Sequence, residues 1–341
     1  MKDNVFSVGI LGCGMIANYH AKAMQELPNV NLVGAFDANT AYGEKFCASY
    51  GIHLFSSIEA LLNSDIDVIS ICLPSGLHYP LGLECIRHGK HVIIEKPMTF
   101  TTAEADEIIA AAEKADVQVT VISQLRYTEA VAHLKKAVEE GWFGKLATAD
   151  IFMKYYRDPS YYQSSSWKGT FKMDGGGALM NQGIHGVDLL QYLAGPVVSV
   201  QALTATRCHS IEVEDTVSAL LQFANGAQGV LQATTSVYPG FSRKLELCGT
   251  EGTAILNEDT ISYAVFRDPD KRLPTGVTTS GTSSRPDGMD HYLHKMQIAD
   301  FLQSLRENRK PFLNAHEGRK AVEIIEAVYR AAATGEKILL G

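Results

Sequence analysis

The sequence predicts an α/β protein: an N-terminal Rossmann-type, doubly wound parallel sheet, then an α+β domain on an open, mostly antiparallel sheet. Three observations predict it. The first third alternates short, almost continuously apolar runs with longer helical stretches, as in a parallel sheet covered on both faces. A glycine-rich turn stands between the first such run and the first helix. After about residue 125 the rhythm changes to successive strand-like segments with no full helix between them. A length of 341 residues suits two domains, set at 1–124 and 125–341, with the final helices able to pack back on the first.

Expected strands in the first domain are Val5–Leu11, Asn31–Phe36, Val68–Leu73, His91–Ile94 and Gln118–Ile122. Helical patterns Ile16–Leu27, His78–His88 and Ala103–Ala115 lie between them, so the crossovers should be right-handed. Ala130–Glu140 reads as a helix at the junction, ended by Gly141, and Leu146–Arg157 as a long strand. A polar, aromatic loop runs to Lys172, and Gly175–Gly177 opens an apolar helix through about Leu193. Val197–Thr206, Thr216–Phe223, Gly229–Thr235, Lys244–Cys248, Thr253–Leu256 and Ile261–Phe266 supply the second sheet. Thr275–Gly288 has the composition of a loop, and helices Asp290–Glu307 and Ala315–Thr334 follow.

A net charge of -8 argues against a dedicated nucleic-acid binder, which needs a basic face. The six cysteines are scattered without a C-x-x-C pair, so neither a zinc nor a disulfide framework is expected. With no leader pattern and no apolar run of membrane-spanning length, the expected location is cytoplasmic, away from membranes. The histidines show no H-E-x-x-H or two-His-one-carboxylate spacing, so no metal is expected.

Gly12-Cys13-Gly14-Met15-Ile16-Ala17 matches G-x-G-x-x-A after a strand and at a helix start. Gly12 permits the tight turn, Gly14 lets a pyrophosphate approach the backbone, and Ala17 lets helix pack on strand. Backbone N–H groups around Met15 and Ile16 would hold the phosphates at the helix N-terminus. Asp37 ends the second strand at about the spacing of ~20 residues expected of a ribose-binding carboxylate. It would repel a 2′-phosphate, and Ala38, Asn39 and Thr40 offer no arginine to bind one, so NAD is favoured over NADP.

Three further signatures accompany the glycine loop: Leu73-Pro74-Ser75 with His78, Gly89-Lys90-His91-Val92-Ile93-Ile94-Glu95-Lys96-Pro97, and Gly175-Gly176-Gly177 followed by Asn181, His185 and Asp188. In that order, over essentially the whole chain, they closely resemble the glucose–fructose oxidoreductase/inositol dehydrogenase/rhizopine catabolism (Gfo/Idh/MocA) family. The resemblance implies a Rossmann domain, an open sheet whose outer face forms dimers or tetramers, and an active site in the cleft between the domains. It places Lys96 at the substrate oxygen and nicotinamide, and makes His185 the general base, a task suited to an imidazole near neutrality. Leu73, Pro74, His78, Glu95 and Gln124 join the expected cofactor contacts, and Asn181, Trp167, Lys168 and Arg157 the substrate contacts.

Several of these residues admit two readings. His78 either meets a phosphate or caps its helix, and Gln124 either reaches the nicotinamide or closes a loop. Trp167 is either a stacking surface or a hydrophobic plug, Arg157 an anion ligand or a surface ion pair, and Asp188 an orienting group or a helix cap. Helical spacing places Asn181, His185 and Asp188 on one face. Inositol dehydrogenase-like members often carry aspartate where this chain has Asn181, and asparagine cannot take a proton, which weakens an inositol substrate but leaves hydride transfer standing. The expected activity is an NAD-dependent dehydrogenase acting on a secondary alcohol of a sugar or cyclic polyol. An NAD-dependent glycosidase and a non-catalytic NAD-binding regulator are the alternatives.

Overall fold

The structure is a computed structural model and describes residues 5–277 and 290–341. The expected loop Thr275–Gly288 lies outside the described residues beyond Val277. The chain forms two compact units, Met1–Gln124 with Asp290–Arg319, and Leu125–Met289 with Lys320–Gly341.

The first unit contains β1 (Phe6–Leu11), α1 (Met15–Gln25), β2 (Val30–Phe36), α2 (Thr40–Tyr50), β3 (His53–Leu54), α3 (Ile58–Leu62), β4 (Val68–Ile71), α4 (His78–Arg87), β5 (His91–Ile94), α5 (Thr102–Ala115) and β6 (Val119–Val121). Its six strands pair in the order β3-β2-β1-β4-β5-β6, all parallel. The order reverses beside β1, creating the switch point at which such sheets take ligands. One face is closed by Ala17, Ala21 and Met24 of α1, with Ile298, Phe301 and Leu302 packed into the same core. The other is closed by Leu61, Leu83, Ile86, Ile108 and Ile109. Sequence reading missed α2, β3 and α3. Both helices are set by their caps: Asn39 accepts from Tyr42 N–H at 3.3 Å, and Ser57 from Ala60 N–H at 3.0 Å.

The second unit contains α6 (Glu129–Glu139), β7 (Leu146–Lys154), α7 (Pro159–Gln163), α8 (Phe171–Asp174), α9 (Ile184–Ala194), β8 (Val197–Ala205), β9 (Thr216–Phe223), β10 (Gln228–Thr234), β11 (Lys244–Gly249), β12 (Gly252–Asn257) and β13 (Thr260–Phe266). Helix α10 (Tyr292–Arg306) belongs to the first unit, α11 (Ala315–Thr334) is divided between them, and β14 (Ile338–Leu339) closes the second sheet. That sheet runs β13-β12-β11-β7-β10-β9-β8-β14, antiparallel except for the parallel pair β7–β10. Ile151, Met153, Val217, Ala219, Leu231 and Leu247 are buried on its inner face, against which α9 packs. Gly186 makes that packing possible, since a Cβ there would lie 2.3 Å from Met153 Sδ. On the opposite face Leu203, Leu220, Val230, Tyr263 and Val265 are exposed.

The helix expected after Gly175–Gly177 is present through Ala194, but its first turns are not regular α-helix. Three glycines separate α8 from a π-helical turn, Ala178–Gly183, and only then does α9 begin. Among the described residues, no helix is long and apolar enough to cross a membrane.

Candidate active site

In the first unit, Gly12 has φ +92°, and a Cβ there would meet Cys72 O at 2.6 Å. Only glycine fits this turn. Gly14 is the N-cap of α1 in ordinary extended backbone, with no side chain capping the helix and no atom within 4 Å of where a Cβ would stand. Open space therefore faces uncapped N–H groups, the requirement for binding a pyrophosphate. Asp37 Oδ2 accepts from Cys13 N–H at 2.8 Å and Oδ1 from Asn39 N–H at 2.7 Å, tying the end of β2 to the glycine loop. A carboxylate holding two such bonds retains lone pairs for ribose hydroxyls.

Lys96 follows β5 at the same strand ends and is half-buried, joined to Pro97 by a cis peptide. Its N–H donates to Glu95 Oε2 at 3.2 Å. Glu95 is itself buried, with Oε1 2.8 Å from His20 Nε2 and 3.6 Å from His294 Nε2, while Ser70 Oγ lies 2.8 Å from His20 Nδ1. Burial opposes the ionised form of Glu95, but hydrogen bonds and charge from His20 and His294 hold it well below the usual carboxylate range. Burial also lowers the His20 pKa, against the pull of Glu95. In its neutral form the His20 imidazole donates from Nε2–H to Glu95 and accepts at Nδ1 from Ser70.

Sequence spacing missed the cluster of His20, Glu95 and His294, whose ligand atoms lie within 4.8 Å of one another. The 2.8 Å contact between His20 and Glu95 fits a shared proton, and hydrogen bonding accounts for it. Ser70, His20 and Glu95 also resemble a hydrolase triad in outline, but Ser70 and His20 are 0 % exposed, so the hydroxyl cannot meet a substrate. A signal was present in the sequence: His20 shares the period of buried Ala17, Ala21 and Met24, and a carboxylate ending an apolar strand needs a partner.

His78 is buried, with Nδ1 2.7 Å from Pro97 O and Nε2 2.8 Å from Leu73 O. Burial lowers its pKa, with the two carbonyls opposing that shift. Its ring braces the Leu73–Pro74 turn against the Lys96–Pro97 turn. Gln124 is buried, and its Oε1 is enclosed without a hydrogen-bond partner.

In the second unit, the glycine run packs where no side chain would fit. A Cβ on Gly176 would lie 2.2 Å from Tyr329 Oη, and one on Gly177 1.7 Å from Glu214 O. Glu214 accepts from Gly177 N–H at 2.8 Å, Leu179 N–H at 2.9 Å and Tyr329 O–H at 3.0 Å, fixing the start of the π turn. Asn181 then lies in that turn and His185 in the first turn of α9, both half-buried. Asp188 neither caps nor faces solvent. It receives Arg126 Nε at 2.9 Å and Nη2 at 2.5 Å in a buried, two-point pair, and the guanidinium lies 4.4 Å from the centroid of Tyr192. Sequence reading missed Arg126 because its partner is 62 residues away.

Two of the expected substrate residues, Lys168 and Arg157, lie beside Tyr161. Lys168 Nζ lies 4.1 Å from that ring centroid and 3.0 Å from Ser164 Oγ, and the Arg157 guanidinium 5.6 Å from the same ring. Desolvation lowers the Lys168 pKa, Asp174 opposes this and Arg157 adds to it. Trp167 is half-buried, 6.0 Å from Lys168 Nζ. Gln182 Nε2 donates to Tyr161 Oη at 3.3 Å.

Residues 6–123 match the family description "Oxidoreductase family, NAD-binding Rossmann fold" of Gfo/Idh/MocA, and residues 131–255 match a Gfo/Idh/MocA C-terminal domain. The crystal structure of the WlbA dehydrogenase from Bordetella pertussis, in complex with NADH and UDP-GlcNAcA, is 31% identical with a TM-score of 0.89, covering 98% of this chain and 99% of that one. Inositol 2-dehydrogenase of Rhizobium meliloti is 24% identical over 97% of this chain and 98% of its own length. Levoglucosan dehydrogenase of Pseudarthrobacter phenanthrenivorans is 27% identical over 74% and 73%.

Proposed function

Because the chain belongs to the Gfo/Idh/MocA family and is an NAD-binding oxidoreductase of the sugar and polyol dehydrogenase type, we propose that Lys96 and His185 serve the reacting oxygen of a sugar derivative or cyclic polyol. The reaction is oxidation of a secondary alcohol or reduction of the matching ketone. The observation that carries this reading is the position of Lys96: a half-buried ammonium, clamped through its backbone by Glu95, at the strand ends where the glycine loop leaves space at Gly14.

A bound NAD would supply the hydride chemistry of the reaction. During oxidation an imidazole nitrogen of His185 accepts the hydroxyl proton, and during reduction it gives that proton back. The Lys96 ammonium donates to the same oxygen and stabilises the negative charge developing there. Gly12, Gly14, Met15 and Ile16 would hold the pyrophosphate, Asp37 the ribose and Gln124 the nicotinamide amide, while Leu73, Pro74, His78 and Glu95 would shape the bed beneath them. Asn181, Trp167, Lys168 and Arg157 position the substrate.

The relative solved with UDP-GlcNAcA makes a nucleotide-linked sugar acid the first substrate to test, and two cations near Tyr161 suit an anionic group. The exposed face bearing Leu203, Leu220 and Val230, with Leu220 and Val230 directly opposite on β9 and β10, serves association of identical chains into a dimer or tetramer. Six free thiols fit a reducing compartment such as the cytoplasm. The test is a panel of polyols, free sugars, glycosides and nucleotide sugars, with NAD and NADP supplied separately and NADH absorbance followed. One substrate class should reduce NAD faster than NADP. Failure of every class, together with no NADH binding, overturns the reading.

A further inference from the structure

Glu214 is buried just before β9, and three successive N–H groups at the start of the π turn donate to it. Oε2 accepts from Gly177 N–H at 2.8 Å, the backbone oxygen from Ala178 N–H at 2.9 Å, and Oε1 from Leu179 N–H at 2.9 Å. Oε1 also accepts from Tyr329 O–H at 3.0 Å. The first N–H groups of a helix have no partner inside it, and Ala178 and Leu179 are buried away from water. Glu214 supplies the acceptors that this irregular turn requires. Helix α9 is seated on the sheet by contacts in which Glu214 has no part: Gly186 lies against Met153, Val187, Leu189 and Leu190 are buried, and Asp188 pairs with Arg126. His185 immediately precedes that seated stretch, whereas Asn181 lies upstream, in the turn that Glu214 holds. The Asn181 side chain has an anchor of its own, Nδ2 donating to Asp174 Oδ1 at 2.6 Å.

We propose that Glu214 is a positioning residue for substrate binding: by taking three successive N–H groups it fixes the backbone of the π turn, and with it the place at which Asn181 meets the sugar. This rests on the proposed function, which makes Asn181 a substrate contact. The bonds dictate what glutamine would do at 214. Its side chain has one oxygen and an NH2 group that only donates. With the oxygen on the Leu179 and Tyr329 side, the NH2 faces Gly177 N–H. With the oxygen on the Gly177 side, the NH2 faces Leu179 N–H. Either way one buried N–H of the turn loses its acceptor, and the turn must shift to find another. Asn181 moves with the turn while His185 stays with α9, so sugar binding should suffer more than the chemical step.

The experiment measures kcat and KM for the sugar that the panel identifies, the NADH dissociation constant and thermal unfolding in wild type, E214Q, N181A and the double variant. E214Q should raise sugar KM about tenfold, the scale of one lost hydrogen bond, with kcat within about threefold and NADH binding unchanged. In the N181A background the same substitution should change KM by less than about twofold, because the contact it displaces is already gone. Equal KM rises in both backgrounds, or a fall in kcat without a rise in KM, overturn the proposal. Leu256→Ala, at a buried position of β12, controls for lost stability. Its sugar KM should be that of wild type at the same fall in unfolding temperature, and a rise equal to that of E214Q overturns the proposal. Tyr329→Phe removes one donor and leaves both backbone bonds to the carboxylate. Its smaller KM rise, about threefold, should likewise vanish in N181A, which keeps the comparison readable should E214Q not fold. Hydrogen exchange over residues 177–179 tests the clamp without turnover. It should be slow in wild type and about tenfold faster in E214Q, and equal rates overturn the clamp. Faster exchange in E214Q together with wild-type KM in N181A overturns Asn181 as a substrate contact and leaves the clamp standing.

Discussion

Replacing Gly14 by alanine separates cofactor binding from folding. The backbone at Gly14 is open to any residue, at φ −74° and ψ −167°, and no atom lies within 4 Å of the new methyl group. Alanine restricts the unfolded chain, a gain of about 0.4–1 kcal/mol, and is a poorer N-cap than glycine by a comparable amount, so stability should change by less than about 1 kcal/mol. The same methyl fills the space assigned to the pyrophosphate. Losing one backbone N–H bond to a charged oxygen costs about 1.5–3 kcal/mol, or about 10- to 150-fold in the NADH dissociation constant. Gly12→Ala is the contrast, because φ +92° and Cys72 O at 2.6 Å make it a folding defect as well. Fluorescence titration with NADH and thermal unfolding of both variants give the comparison. Wild-type affinity in G14A, or unfolding of G14A as early as G12A, refutes the reasoning.

Lys96→Met and His185→Asn should each lower kcat by about 10²–10⁴ while NADH affinity stays within a few-fold, measured by steady-state kinetics and titration. Arg126→Met or Asp188→Leu alone should destabilise by about 3–5 kcal/mol through the stranded charge, with the double variant recovering much of it in urea unfolding. Burial lowers the folded pKa of His20 and His78, so the unfolded chain takes up protons first as pH falls below about 6.5. Each then costs up to about 1.4 kcal/mol per pH unit, and the urea midpoint should drop between pH 7.5 and 5.5; a flat midpoint contradicts this. Leu220→Glu should reduce the molecular mass seen by light scattering if the exposed sheet face joins identical chains.

The doubly wound sheet was legible because β-branched runs, a glycine loop and strand-ending Asp37 agree with one another, each being a local signal. Helices α2 and α3 were not, since they bury few residues and depend on the single caps Asn39 and Ser57. The π turn was invisible because its sequence, Ala178–Gly183, has ordinary helical composition; buried Glu214, 37 residues from Gly177, holds its first N–H groups. The cofactor side of the candidate site was therefore readable, while its supports were not. Ser70, His20 and His294 around Glu95, Arg126 under Asp188, and Asp174 behind Asn181 are all contacts between segments distant in sequence or hidden by an irregular backbone.

The most direct measurement is a crystal structure of the protein with NADH and the substrate that the panel identifies. The expected result is a single sugar oxygen, next to the carbon facing the nicotinamide, within hydrogen-bond distance of both the Lys96 ammonium and a His185 ring nitrogen. A bound sugar whose reacting oxygen meets neither group, or only one of them, contradicts the account.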